Sequence, residues 1–317
     1  MRVTNVTPDS CETLRVSGPG FLEVYHSGVG NVPVLHVEGI PEEMGRQYGA
    51  LVGDMIRRNI DRMLGLFSGM GLPEAVVHLV LDKTWERLAP HTLDRYHREM
   101  AAIAEGAQEA GFVVTVADVQ RLTAVTNFDL YRREERIMEL FGADIAAHFA
   151  ANGAPPGPAC TMFSVWGSRT VDGKMFAIRN LDWVSQTGMH EDRLVTVYRP
   201  NGLNSFVTMD YAGVVGGIAG MNEKGIAFSE VGAFSASEEL DGTPWILIAR
   251  RVLAVCSKKP APSSRPYRCS NRPNTRSGTT IWWLTATART PARRISVRAR
   301  QSSKPISSAA KPSMKTT

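Results

Sequence analysis

The sequence lacks several features that mark membrane, secreted and metal-binding proteins. It has no run of about 18 apolar residues, the length that a helix needs to cross a membrane. Its first residues also lack the apolar core of a secretory signal. The four cysteines, Cys11, Cys160, Cys256 and Cys269, show no paired spacing, so we expect neither a disulfide framework nor a zinc site. These absences favour a cytoplasmic protein without a metal ion or a cofactor.

Acidic residues are absent from the last part of the chain. Residues 256–317 carry 14 lysines and arginines and no aspartate or glutamate, so the net charge of +5 comes from this tail alone. Its richness in serine, proline and arginine predicts disorder. Such a tail could also bind nucleic acid without specificity. No recognisable DNA- or RNA-reading module accompanies it, so we expect no specific nucleic-acid partner and no membrane partner.

The pattern of residues 1–255 predicts an α+β fold. Alternation in residues 20–40 predicts strands, and a proline followed by two acids opens a helix over 41–67. Three more helices are predicted, over 73–90, 92–110 and 115–133. Five short runs separated by turn signals predict an antiparallel sheet of hairpins, over 161–169, 174–180, 193–200, 205–213 and 225–232. Thr243 is the predicted N-cap of a last helix, over 243–254.

Cys160 carries the strongest chemical signal in the sequence. It follows a Gly- and Pro-rich stretch, residues 152–159, and precedes a strand-like run, so a cut before it would create a new N-terminus. The thiolate is the nucleophilic form of cysteine, and a thiol therefore needs activation at neutral pH. An N-terminal cysteine has its own base, because an α-amine titrates at about 7.7–8. No histidine in the chain shows a recognisable Cys/His signature.

Arg179 and Asp182 are candidate partners of this cysteine. They lie three residues apart, beyond a turn that would fold residues 174–180 back against the Cys160 strand. A guanidinium beside Cys160 would favour the thiolate, and a carboxylate could orient the new α-amine. On the residues alone, an ordinary surface ion pair at a strand end stays open as an alternative.

Three motifs along the chain together resemble a known group of enzymes. Residues 160–183, followed by residues 220–225, resemble the choloylglycine hydrolase and penicillin acylase group of N-terminal nucleophile hydrolases. Residues 37–49 are similar to the opening of the acyl-coenzyme A:6-aminopenicillanic acid acyltransferase family. The resemblance covers about residues 20–255. Residues 222–225 within it are interpreted as a hairpin turn rather than as a catalytic element.

The resemblance implies a fold and a division of the chain. The fold would be a four-layer αββα sandwich with a helical N-terminal pro-segment. Autocleavage between Ala159 and Cys160 would make residues 1–159 a cleaved but still associated α-chain. Residues 160–255 would begin the β-chain with the nucleophile-bearing antiparallel sheet and a helix.

The resemblance also implies an activity. Cys160 would attack the bond after Ala159 and then the acyl group of a substrate, with Arg179 and Asp182 as flanking catalytic residues. The substrate would be a small-molecule acyl amide or acyl thioester, and the acyl-Cys160 intermediate would pass its acyl group to water or to an amine. The resemblance further implies an oxyanion-hole Asn or Tyr after residue 225. Residues 230–234 read Glu-Val-Gly-Ala-Phe, so this donor has no candidate.

The tail departs from the pattern that the resemblance implies. Further helix and strands should follow residue 254, and the tail offers none of them. Regrouping the codons of residues 277–286 in another frame permits Gly-His-Asn-Tyr-Leu-Val-Ala-Asp-Gly, which is similar to a strand of these relatives. A frameshift from about residue 256, which would leave the sandwich C-terminally incomplete, is therefore a hypothesis beside the ordinary disordered tail.

Two alternative functions follow from these considerations. The chain could be a catalytically inactive, truncated or frameshifted member of the same family. It could also be a cysteine-initiated hydrolase whose leader is simply removed, as in bile-salt or penicillin V acylases. The long helical stretch over residues 41–133 argues against a dispensable leader.

Overall fold

The protein combines helices with one large mixed sheet, which agrees with the predicted α+β class. The computed structural model describes residues 10–28, 30–69, 71–127, 142–152, 159–182, 188–231, 242–258, 267–269 and 281–285. The helices are α1 (Pro41–Gly69), α2 (Glu74–Leu88), α3 (Asp94–Glu109), α4 (Val116–Ala124), α5 (Ala143–Asn152) and α6 (Trp245–Val255). Single 3₁₀ turns lie at Ala89–His91 and Met189–Asp192.

The strands occur in two groups along the chain. Before the helices come β1 (Ser10–Ser17), β2 (Gly20–Ser27) and β3 (Gly30–Gly39). After them come β4 (Ala159–Gly167), β5 (Gly173–Asp182), β6 (Arg193–Pro200), β7 (Phe206–Tyr211), β8 (Ala219–Asn222) and β9 (Ile226–Glu230). Three short strands follow α6, namely β10 (Cys256–Lys258), β11 (Tyr267–Cys269) and β12 (Ile281–Thr285).

The large sheet has the strand order β1-β2-β3-β6-β7-β8-β9-β12. Every neighbouring pair in it is antiparallel except β3 and β6, which run parallel with Val34 opposite Val195. The runs predicted over 161–232 pair antiparallel with one another, as predicted, but they do not form one sheet. The long helical stretch between β3 and β6 supplies the crossover that a parallel pair requires. In addition, β4 and β5 form a separate two-stranded sheet instead of joining the large one.

The core lies between the large sheet and the helices α1, α3 and α6. Side chains of β6 alternate, with Leu194 and Tyr198 buried on the helix side. Leu35 continues this buried face on β3. The two longest helices approach closely at Gly49 of α1, where a Cβ atom would overlap the main-chain oxygen of Ile103 in α3. This packing joins the segment before Cys160 and the segment after it in one hydrophobic core.

The start of α6 differs from the prediction. Thr243 was the expected N-cap, but the helix begins at Trp245, and Pro244 occupies the N-cap position without a side-chain cap. The Thr243 hydroxyl instead donates a hydrogen bond to the main-chain oxygen of His91, at 2.7 Å. A tertiary contact with the turn between α2 and α3 therefore takes the place of the local cap that the sequence favours.

The tail contributes more order than its composition predicts. Strand β12 adds to the edge of the large sheet beside β9, with Ile281 opposite Glu230. Cys256 is disulfide-bonded, and Cys269 lies directly opposite it in the β10–β11 pair. The expectation of no disulfide is wrong for Cys256, because hairpin register rather than sequence spacing brings such residues together. The frameshift hypothesis for residues 256–317 stays a prediction.

Neither a single membrane-spanning helix nor a metal-holding cluster of side chains is found in the part of the chain that the structure describes. In it, none of the helices alone has the length and apolarity to span a membrane. One bent pair of helices, Pro41–Gly69 with Glu74–His91, is long and apolar enough only when the two are taken together, by length and composition. The same residues contain no group of three or more His, Cys, Asp or Glu side chains arranged to hold a metal ion.

Candidate active site

The β4–β5 hairpin presents Cys160 next to Arg179. Cys160 is the second residue of β4 and pairs with Leu181, while Arg179 pairs with Met162. Because side chains alternate along a strand and cross-strand pairs share a face, Cys160, Met162 and Arg179 lie on the same face of the hairpin. The turn at residues 168–172 thus folds β5 back against the cysteine strand, as the sequence predicts.

Arg179 joins the thiol to a carboxylate that the sequence analysis did not select. Its Nη2 donates to Cys160 Sγ at 3.4 Å and to Glu230 Oε2 at 2.8 Å. Its Nε donates to the main-chain oxygen of Glu230 at 2.9 Å. The thiol itself lies 3.9 Å from Glu230 Oε2. The side chains of Arg179 and Glu230 are 10% and 6% exposed, so the ion pair is largely shielded from solvent while the thiol is half-buried.

Two groups of opposite charge, Arg179 and Glu230, lie beside the thiol and have different roles. Burial raises the pKa of the Glu230 carboxyl, and the Arg179 guanidinium and the Cys160 thiol offset only part of this rise. Glu230 therefore keeps a proton to higher pH than an exposed glutamate and can exchange it with the neighbouring sulfur. The Arg179 guanidinium stabilises a thiolate at Cys160. The arrangement can generate a nucleophile and hold the proton that it releases.

Tyr211 lies close to the same group. Burial raises the pKa of its hydroxyl, Arg179 lowers it, and the charge of Cys160 adds to the rise. Tyr211 ends β7 and is 8% exposed. Its phenolic oxygen can donate or accept a hydrogen bond.

Sequence reasoning missed Glu230 and Tyr211. A signal for Glu230 was present, because Ile226 and Phe228 alternate on the buried face of β9 and the carboxylate occupies the next position of that face. Charged side chains are rarely buried without a partner, so an acid at such a position indicates an ion pair or a functional site. No comparable signal marks Tyr211.

The other predicted site residues are only partly located. Asp182 lies at the end of β5, directly opposite Ala159, at the predicted cleavage point; its side chain lies outside the described part. Of residues 230–234, where an oxyanion donor was expected, residues 232–234 also lie outside it. Residues 222–225 form the turn between β8 and β9, as predicted, and Asn222 Oδ1 accepts from the main-chain nitrogens of Lys224 and Ile226.

Comparison with known proteins adds two similarities. A family model described as acyl-coenzyme A:6-aminopenicillanic acid acyl-transferase matches residues 168–259, which confirms the family predicted from the motifs. An uncharacterized protein of Archaeoglobus fulgidus is 28% identical over 239 residues, which are 72% of this chain and 38% of that protein. The chain thus spans less than two fifths of this relative. The family match includes Arg179, Asp182 and Glu230 and begins eight residues after Cys160.

Proposed function

We propose that this chain, whose residues 168–259 match the acyl-coenzyme A:6-aminopenicillanic acid acyl-transferase family, is a self-cleaving amidohydrolase or acyltransferase with Cys160 as its nucleophile. The observation that carries the proposal is the contact of 3.4 Å between Arg179 Nη2 and Cys160 Sγ at the start of β4. A guanidinium that donates to a half-buried thiol favours the thiolate and so activates the cysteine. The substrate class is a small acyl amide or acyl thioester.

The first reaction is cleavage of the chain itself. The Cys160 sulfur attacks the carbonyl carbon of Ala159, the peptide C–N bond breaks, and the released α-amine of Cys160 takes up the proton. Water then hydrolyses the Ala159 thioester and frees the thiol. Before this cut the main-chain nitrogen of Cys160 is an amide and cannot act as a base. Glu230 Oε2, at 3.9 Å, is the group available to accept the thiol proton at that stage.

Turnover of substrate uses the same sulfur with a second base. After cleavage, the α-amine of Cys160 is directly attached to the nucleophilic residue and titrates at about 7.7–8 in the unperturbed case. The sulfur attacks the substrate acyl carbon, the amine or thiol leaving group departs with a proton, and acyl-Cys160 forms. Attack by water gives a hydrolase, and attack by an amine gives an acyltransferase. Asp182, opposite Ala159 in the hairpin, is proposed as the residue that orients the new terminus.

We further propose the αββα sandwich, with the β4–β5 hairpin as part of its second sheet. Helices cover one face of the large sheet, which supports the first two layers. The outer face of the hairpin is apolar and exposed, with Phe163 at 60%, Phe176 at 55% and Ile178 at 62%. In packed sheets, cross-strand apolar pairs of this kind usually form the face that packs against another layer.

Contacts across the proposed cut support an α-chain, residues 1–159, that stays associated. The parallel β3–β6 pair makes the large sheet continuous between the two pieces. Arg58 Nη2 donates to Asp192 Oδ1 at 2.7 Å, and Asn59 Nδ2 donates to the main-chain oxygen of Ala212 at 2.9 Å. Separation of the pieces would expose the shared core, so cleavage alone does not dissociate them.

Intact mass spectrometry and denaturing gels of the purified protein test the proposal. The expected result is two chains that separate only under denaturing conditions and whose masses place the cut between Ala159 and Cys160. A single chain that stays uncut at neutral pH and turns over no acyl amide or thioester contradicts the proposal. That result supports the alternative of an inactive family member.

Glu230→Gln tests the carboxylate as the proton acceptor of the first cut. Glutamine keeps an oxygen that can accept from Arg179 but cannot take the thiol proton, so we expect cleavage to slow by about 10²–10⁴-fold. Burial raises the pKa of Glu230, so the wild-type cleavage rate should rise with pH through that raised value. The variant should lose this dependence. Cleavage rates from pH 4 to pH 8 by intact mass provide the measurement.

A matched control is Glu223→Gln, in the turn between β8 and β9. Its carboxylate pairs with Lys224 and is 45% exposed, so its loss should leave the cleavage rate and its pH profile unchanged. Equal pH profiles for Glu230→Gln and the wild type would exclude Glu230 as the acceptor. For protein stability the sign is opposite: a raised carboxyl pKa stabilises the fold at low pH, and this contribution is lost as pH rises through the raised value.

A further inference from the structure

A buried carboxylate lies behind the site and contacts none of the reacting atoms. Asp210 Oδ1, on β7, accepts from the main-chain nitrogen of Ile218 at 2.7 Å. The main-chain oxygen of Ile218 accepts in turn from the nitrogen of Glu230, at 3.2 Å. Glu230 then holds Arg179 through its side chain and its main-chain oxygen, and Arg179 contacts Cys160. A continuous chain of hydrogen bonds therefore runs from Asp210 to the thiol.

The register of the large sheet explains why these groups meet. The pairs between β7, β8 and β9 place Asp210, Ile218 and Glu230 in one row on the helix-facing side of the sheet. Ile218 immediately precedes β8, so its two hydrogen bonds fix the end of the row where regular pairing stops. A shift of Ile218 would move Glu230 and, with it, the guanidinium on the sulfur.

Asp210 is buried among groups of both charge signs. Burial raises the pKa of Asp210 to about 6; hydrogen bonding to the Thr208 side chain and to the Ile218 main chain, and the charges of Arg250 and Arg179, limit this rise. The groups that interact with Asp210 electrostatically are Arg250, Arg179, Tyr48, Tyr198 and Tyr211. Burying a carboxyl group is costly unless it is hydrogen-bonded, and the Ile218 N–H supplies such a bond to Asp210.

We propose that Asp210 is a positioning residue for the Cys160 thiol. Its carboxyl group holds the Ile218 peptide, and this peptide anchors the end of β9. Glu230, at that end, holds Arg179 beside the sulfur. This inference rests on the proposed role of Cys160 and deepens it. Asp210 acts through its oxygen acceptor and not through its charge. Its neutral form, or an amide in its place, should therefore hold Ile218 as well as the carboxylate does.

Alkylation of Cys160 by iodoacetamide tests the proposal without requiring enzymatic activity. The rate is measured from pH 5 to pH 9 on the Cys160 peptide by mass spectrometry, on chains of the same cleavage state. In Asp210→Leu, which has a similar volume but no acceptor, we expect the midpoint of the profile to rise by about one pH unit, a roughly tenfold loss of rate near neutrality. In Asp210→Asn, which keeps an oxygen acceptor, the midpoint should stay at the wild-type value.

The control is Ser229→Ala, next to Glu230 on β9. Among the described residues its Oγ is buried without a hydrogen-bond partner, so its removal should leave the profile unchanged. A wild-type profile in Asp210→Leu overturns the proposal. A shift of the Asp210→Asn midpoint away from the wild-type value also overturns it, because the loss of charge would then be the cause. This comparison of Asp210→Asn with the wild type holds even if the leucine variant does not fold. Failure of self-cleavage would refute the proposed function but leave these alkylation profiles interpretable.

Discussion

Replacing Cys160 with alanine is expected to leave one uncut chain of 317 residues and to abolish acyl turnover. Both reactions use the same sulfur, so both should be lost together, with turnover falling by a factor on the order of 10⁶ or to background. The fold should persist, because the thiol is only half-buried and contributes little to the core. Intact mass and turnover of an acyl amide, measured on the same preparation, check the expectation.

Cys11→Ser is the matched control for this experiment. Cys11 is an exposed cysteine on β1, and its thiol contacts Glu23 Oε2 at 3.4 Å, away from the hairpin. Its replacement should leave cleavage and turnover at wild-type rates. Cleavage between Ala159 and Cys160 that persists in the alanine variant would refute Cys160 as the nucleophile. Loss of turnover with retained cleavage would separate the two reactions and require a second nucleophile.

The sequence predicts most helices and strands of the described part but not how the sheet is assembled. Local periodicity and turn residues place α1 within two residues at its C-terminal end, and β6 is predicted at its observed bounds. Strand β8 was missed because its four residues, Ala219–Asn222, include a glycine and are too short to show alternation. The parallel β3–β6 pair joins residues far apart in the chain, and no local pattern encodes such a contact.

For the candidate site, the sequence predicts the hairpin partners but not the residues from other strands. Cys160 and Arg179 are joined by one short turn, so motif spacing is enough to place them together. Glu230 reaches them only because β9 ends beside the hairpin. Asp210 is further removed, since it acts through the main chain of Ile218. Each added step depends on the register of the large sheet, which the sequence pattern does not specify.

A second large effect is expected at the buried ion pair between Glu99 and Arg250. Arg250 Nη2 donates to both carboxylate oxygens of Glu99, at 2.7 and 2.9 Å, and the side chains are only 2% and 1% exposed. The guanidinium also lies 4.1 Å above the ring of Tyr198. Glu99 belongs to α3, before the proposed cut, and Arg250 belongs to α6, after it. The pair therefore links the two proposed chains inside the core.

Glu99→Ala should lower the free energy of unfolding by about 3–5 kcal/mol, because it leaves the Arg250 charge buried without its partner. Urea denaturation in the Cys160→Ala background keeps the chain uncut, so that the unfolding reaction is the same in every variant. Glu105→Ala is the control, since its ion pair with Arg46 is exposed and should contribute about 0–1 kcal/mol. Equal losses in the two variants would show that the buried pair adds no more than a surface pair. Adding Arg250→Met to Glu99→Ala should recover part of the loss, because the uncompensated charge is then removed.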